Sequence, residues 1–278
     1  MWKSMGSSQF SKPSYLFLFL AQLSLIIHVC LGASKLTSLY QPPPMALTYH
    51  GGDLLQGDLL ISILWYGNFS PPQKSIVVDF ILSLNHIDPQ KDQHSKSSVS
   101  LWWGTVQTYM KKAGKKPTRI SLSTQLSDKN YTIGKNLKKS HVSELAHRVN
   151  SPPGGLTLVL TSHDVAVEDF CMSNCGSHGH KGNSVFIWVG NSVIQCPGQC
   201  AWPFHQPVYG PQTPLGAPNG DVGMDGMVIN IASLLAGSVT NPFGSGYYMG
   251  SAEAPLEAAS ACPGVYGKGA YPGYAGVL

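Results

Sequence analysis

The sequence predicts an α/β fold: a mixed, twisted sheet flanked by helices, with disulfide-tied loops in the C-terminal half. Three observations predict it. Short apolar runs of strand length alternate with segments whose apolar residues recur on one helical face, which implies a sheet with covering helices rather than a sandwich or bundle. A composition of 43% apolar and only 12% charged residues excludes a disordered chain, which needs low hydrophobicity and high net charge. Cys171, Cys175, Cys196 and Cys200 form two C-x3-C pairs in a glycine-rich region.

In chain order, the first feature is an apolar run over residues 15–31, preceded by Lys3 and Lys12 and followed by Gly32, Ala33 and Ser34. That order reads as a secretory signal peptide over residues 1–32. A membrane anchor is the alternative, but the run is short of about 20 spanning residues and contains Gln22 and His28. The mature chain is therefore expected to be secreted, with no membrane association after cleavage. Residues 33–50, with prolines at 42, 43 and 44, read as a linker, and 51–278 as a single domain. Residues 59–66 (LLISILWY) have the continuous apolar character of a strand buried on both faces. Ser70 offers an N-cap with Pro71 at the first helical position, and Ile76, Val77, Phe80, Ile81 and Leu84 share one face of the helix that follows. A second helix is expected over 99–112, with Trp102, Val106 and Tyr109 on its stripe. Residues 119–125 alternate like a strand, and Ser140 is placed to cap a helix running through Val149. Residues 156–161 and 184–189 are further strands, 190–220 a loop-rich stretch. Residues 222–236 form a buried helix stopped by Gly237.

The net charge of +4 conceals an asymmetry. Residues 1–150 hold 16 of the 18 Lys and Arg, whereas residues 151–278 hold only Lys181 and Lys268 against seven acids. Neither half has the dense basic face and module of a nucleic-acid-binding domain, so nucleic acid is excluded as a partner. Residues 111–139 carry nine Lys and Arg against Asp128. This stretch reads either as a solvated surface or as a binding site for an acidic extracellular polymer, weakened by salt.

Secretion favours disulfides for Cys171, Cys175, Cys196, Cys200 and Cys262 over a four-thiolate zinc site, and leaves an odd number of thiols. Sequons at Asn68 and Asn130 are candidate glycosylation sites, with Pro71 making Asn68 the poorer acceptor. His178, His180 and His205, close in sequence to Asp164, Glu168 and Asp169, are the candidate metal ligands of a hydrolase. No H-E-x-x-H and no G-x-S-x-G is present. The preferred expectation is no catalytic residue, no metal and no cofactor. Trp202, Phe204, His205 and Tyr209 could present a sugar-stacking face or simply pack.

Several blocks carry a resemblance to a known family: LTYHGGDLL at 47–55, LLISILWYGNFSPPQ at 59–73 and VLTSHDVAVEDFCMSNCGSHG at 159–179. The series continues with IWVGNSVIQCPGQCAWPFHQPVYGPQ at 187–212, DGMVINIASLLAGSVTNPFGSGYY at 225–248 and PLEAASACPGVYGKGAYPGYAG at 255–276. In these the chain resembles the EXORDIUM, or phosphate-induced protein, family of plants. The resemblance implies a secreted protein of the cell wall or apoplast, associated with hormone-responsive growth and cell expansion. Its expected partner is an extracellular protein or a cell-wall polysaccharide. It brings no established catalytic activity. Family members continue beyond Leu278 with a further cysteine, which implies a truncated chain here and a partner for the odd thiol in the missing tail.

A fainter similarity links SLLAGSVTNP at 233–242 to the H-E-L-A-E-A-V-T-D-P stretch of some secreted zincin-like proteins. Along it, Ser233 stands for the first zinc histidine, Leu234 for the general-base glutamate and Gly237 for the second helix ligand. Glu257 matches an acidic residue downstream. The similarity implies a zincin-like scaffold whose metal site is lost, because serine, leucine and glycine supply neither ligands nor base.

Overall fold

A computed structural model describes residues 47–85, 98–172, 174–206 and 214–260. The expected signal peptide, most of the expected linker, Tyr209 and Cys262 lie outside them. The described chain begins with a two-residue strand, β1 (Thr48–Tyr49), paired antiparallel to β9 (Tyr247–Tyr248). Residues 47–50, expected as linker, are thus already tied to the far end of the fold.

The centre is a five-stranded sheet of order β3-β2-β5-β8-β7. It contains β2 (Gly57–Tyr66), β3 (Thr118–Asp128), β5 (Leu156–Thr161), β7 (Gly176–Lys181) and β8 (Ser184–Gly190). β3, β2, β5 and β8 run parallel; only β7 is antiparallel, hairpinned to β8. Side chains of β2 alternate between faces. Leu59, Ile61, Ile63 and Trp65 enter one core with Leu156, Leu158, Leu160 of β5 and Val185, Ile187, Val189 of β8. Leu64, Tyr66, Val159 and Trp188 enter the other. Burial on both faces explains why these strands read as continuous apolar runs.

The helices divide between the faces. α1 (Pro71–Ser83), α2 (Val99–Lys112) and α5 (Val222–Thr240) cover the first core. α3 (Lys139–Arg148) covers the second, beside the one-turn helix α4 (Pro197–Cys200) and the cysteines. Strand addition runs from β2 to β3, then back across β2 to β5. Right-handed crossovers require the connecting helices to change face at that reversal, and they do. A second small sheet joins β4 (Asn136–Leu137) to β6 (Ala166–Val167).

Local signals explain most boundaries. Ser70 Oγ accepts from Gln73 N while the Gln73 side chain accepts from Ser70 N, a capping box worth about 1 kcal/mol. In α2 the fully buried positions are Trp103, Val106 and Met110, with Trp102 and Tyr109 flanking them. α3 starts two residues earlier than expected: Lys138 is the cap position, its backbone N–H donating to His141 Nδ1 at 3.2 Å, and Ser140 lies inside the first turn. α5 passes through Gly237 and ends at Asn241. Gly237 is therefore no stop signal, and its reason is found in packing.

Candidate functional site

Two polar constellations stand on this framework. The first occupies the rim where β2 and β5 end. The strand order reverses beside β2, and such a reversal leaves a crevice at the carboxyl ends of the strands. Gly67 leaves β2 at φ 101°, and a Cβ there would fall 1.9 Å from Ser162 Oγ, so only glycine lets the two strand exits approach. Ser162 Oγ, Tyr131 OH and Lys135 Nζ converge on Asp164 at 2.6, 2.8 and 2.6 Å. Burial pushes the Asp164 carboxyl up, but the hydrogen bonds from Lys135, Ser162 and Tyr131 outweigh it and hold the group well below the usual carboxylate range. So firmly anionic a group is a fixed anchor for its neighbours and poorly suited to move protons near neutrality. Tyr131 adopts φ 53°, uncommon for a residue with a Cβ, and its hydroxyl also accepts from Asn68 Nδ2 at 3.3 Å. Asn68 and Asn130 are both exposed near this rim.

The second constellation joins three distant parts of the sequence. His178 Nε2 lies 2.6 Å from Glu257 Oε2, and Asn241 Nδ2 donates to Glu257 Oε1 at 2.7 Å. The side chains of His178 and Glu257 are only 15% and 17% exposed, which strengthens the pairing relative to a surface one. Asn241 in turn accepts from Gly246 N at 2.8 Å, tying the turn after α5 into the same joint. A Cβ on Gly237 would come 2.5 Å from Glu257 Oε2 and 3.4 Å from His178 Nε2. Glycine stands at this point of the helix because a carboxylate fills the space above it.

The sequence-predicted residues distribute unevenly over these places. Gly237 and Glu257 meet, whereas exposed Ser233, one turn earlier, opens onto a groove between α2 and α5. Leu234 packs toward β7, where a Cβ on Gly176 would touch its Cδ1. His178, His180 and His205 do not form one site. His178 is engaged by Glu257, His180 is edge-on to Phe243, and exposed His205 faces the Gln206 carbonyl. Among the described residues no three His, Cys, Asp or Glu side chains are grouped to hold a metal ion. The acids near them serve elsewhere: Asp169 pairs with Lys139 at 2.5 Å, and Glu168 accepts from Lys139 N. Trp202 and Phe204 are half-buried.

The cysteines do what the compartment argument expects of four of them. Cys171 is bonded to Cys196 and Cys175 to Cys200, each pair 25 residues apart. The bridges lie side by side, with Cys196 Sγ 3.6 Å from Cys200 Sγ.

Sequence reasoning missed the partnership of His178 and Asn241 with Glu257 and the convergence on Asp164. The separations are 79 and 16 residues in the first and 33 and 29 in the second. No local spacing announces such contacts.

The family model described as "Phosphate-induced protein 1 conserved region" matches residues 47–278, beginning where the described fold begins. Protein PHOSPHATE-INDUCED 1 of Nicotiana tabacum is 50% identical over 275 residues, covering 94% of this chain and 87% of that protein. Protein EXORDIUM of Arabidopsis thaliana is also 50% identical over 275 residues, covering 95% of this chain and 86% of its own length. Protein EXORDIUM-like 2 of the same plant is 50% identical over 248 residues, 86% of this chain and 80% of its own. No solved structure matches the chain. A conserved-region match across the whole described fold, with half of all residues shared with several relatives, means that the chain belongs to the EXORDIUM/phosphate-induced protein family of plants.

Proposed function

We propose that this chain is a secreted protein of the cell wall or apoplast that promotes growth and cell expansion by binding rather than by catalysis. Glu257 is the single observation that carries the non-catalytic part. The one carboxylate matching the zincin-like pattern has both oxygens engaged, by His178 and Asn241, above the bare backbone of Gly237. Zinc-assisted hydrolysis needs two or three fixed ligands and a base to take a proton from metal-bound water. Along α5 the corresponding positions offer a serine hydroxyl, a leucine and a glycine. Glu257 instead fastens the segment after β9 to α5 and β7.

Secretion is supported by the paired disulfides, which persist in oxidising compartments, and by the leader-like order of charge, apolar run and small residues at 3–34. The growth role is supported by the family membership, for which the resemblance noted from the sequence implies hormone-responsive expansion. The partner is expected to be an extracellular protein or a wall polysaccharide.

Metal analysis of the purified protein, paired with hydrolysis assays on wall polymers and peptides, tests the reading. The expected outcome is no stoichiometric zinc and no turnover. Stoichiometric zinc that disappears, together with activity, in His178→Ala would overturn it.

A further inference from the structure

The basic stretch 111–139 is absorbed neither by the core nor by the Glu257 joint, and the fold breaks it in two. Lys111, Lys112, Lys115, Lys116 and Arg119 gather at the start of β3, while Lys129, Lys135, Lys138 and Lys139 follow its end. An 11-residue strand rising about 3.3 Å per residue separates the groups by roughly 30 Å, several Debye lengths at physiological salt. They act as separate charges. In the second group Lys135 and Lys139 are paired with Asp164 and Asp169. Lys129 is exposed, and among the described residues no carboxylate lies within ion-pair distance of it.

Lys129 stands at the edge of a crevice of about 440 Å³ between the end of β3 and α3. The volume falls in the range of roughly 300–1,000 Å³ common for small-ligand sites. Leu126 and Leu145 line its apolar part, and Lys129, Asn130, Thr132 and Arg148 its polar part. Asp128 also borders it, but its carboxylate accepts from Asn130 N, Thr132 N and Thr132 Oγ1, and so is spent shaping the loop. Arg148 closes the last turn of α3, where its charge offsets the negative helix end. Its partner Glu144, at 2.5 Å, is half-exposed like Arg148 itself, a pairing of the kind that a ligand carboxylate can displace. Lys74 donates to Ser127 Oγ at 2.6 Å, and Ser127 also borders the crevice. Burial lowers the Lys74 ammonium below its ordinary value, and the positive charge of Lys129 lowers it further. A negative group placed between them would relieve both.

We propose that this crevice binds a carboxylate-bearing sugar, such as a uronate unit of an acidic polysaccharide. Arg148 and Lys129 would take the carboxylate, as guanidinium and ammonium groups do. The Asn130 side-chain amide would exchange hydrogen bonds with ring hydroxyls, while Thr132 Oγ1, whose proton goes to Asp128, would only accept one. The leucines would cover the C–H face of the ring. An acidic peptide side chain uses only the cations, and inorganic phosphate leaves the apolar floor bare. A uronate matches all three parts.

The test is titration of the purified protein with labelled oligogalacturonate, with a neutral oligoglucan and poly-glutamate as comparison ligands. The oligogalacturonate is expected to bind at least about ten-fold tighter than either, and more weakly as salt rises. Lys129→Ala with Arg148→Ala should weaken it about ten-fold or more. Replacing Lys111, Lys112, Lys115 and Lys116 by alanine should leave it nearly unchanged. Lys129→Arg should retain it. Lys111, Lys112, Lys116, Lys129 and Arg148 are exposed and Lys115 is partly so, and thermal unfolding of each variant serves as the folding control. Binding that follows the 111–116 lysines and ignores Lys129 and Arg148 would overturn the site. Equal binding of poly-glutamate would overturn the sugar. The readout needs no growth assay, so its failure leaves the growth reading standing.

Discussion

At the scale of single residues, Gly237 and Glu257 show how a residue type can be set by a neighbour 20 positions away. Glycine in the interior of a helix costs roughly 0.5–1 kcal/mol relative to alanine in propensity alone. Here the sign should reverse. Gly237→Ala would place a methyl 2.5 Å from Glu257 Oε2, within a joint whose surroundings are buried. The expected loss is about 1–3 kcal/mol, the range for overpacking, read as a lower midpoint in denaturant. Glu257→Gln keeps the shape but loses the carboxylate that His178 requires, and should cost about 1–3 kcal/mol. Combined, the two changes should cost less than their sum, because both act on one contact. The sequence marked both positions through a similarity to a metal helix. It could not mark His178 or Asn241, which enter only when β7 and the end of α5 are brought together.

At the scale of elements, legibility followed burial. β2, β5 and β8 are apolar on both faces, and α1 carries its own cap, so each is visible in a short window. β7 has the sequence GSHGHK and no apolar pattern; it is a strand because β8 supplies a backbone partner. The extension of α5 beyond Gly237 was hidden because tertiary packing overrode a local stop signal. β1 and β9 exist only as each other's partners, so a prolyl-rich prelude concealed the first of them. The cysteine loops were legible as disulfides but not in their pairing. The two bridges span overlapping 25-residue intervals, so their contributions are coupled. With one bridge in place, the other closes only a small ring through 171–175 and 196–200. Removing a single pair, as in Cys175→Ala with Cys200→Ala, should cost about 2 kcal/mol, and removing the remaining pair about 3 kcal/mol more. Calorimetry of single-pair and four-cysteine variants would show the larger second step; equal steps would mean that the loops are constrained independently of the bridges.

At the scale of the whole molecule, the sheet organises stability from its middle. β5 lies between β2 and β8, with a core on each face, while β3 and β7 are the sheet's edges. Amide exchange should therefore be slowest in β2, β5 and β8 and faster in β7, which is only partly buried, and in the second half of β3, where most side chains are exposed. Exchange by mass spectrometry on the native protein checks this gradient. In the sheet the basic front and the acidic, glycine-rich back of the sequence stay side by side, as β3-β2 and β5-β8-β7, and the helices cross the divide: α5 packs beside α1 and α2, and α3 lies against β5. The paired bridges have one more consequence. Because both connect 171–175 to 196–200, a protease cut anywhere from 176 to 195, the β7–β8 hairpin included, leaves the two fragments covalently joined twice over. The stretch between the two cysteine pairs is therefore a place where the chain can be nicked without coming apart until the bridges are reduced.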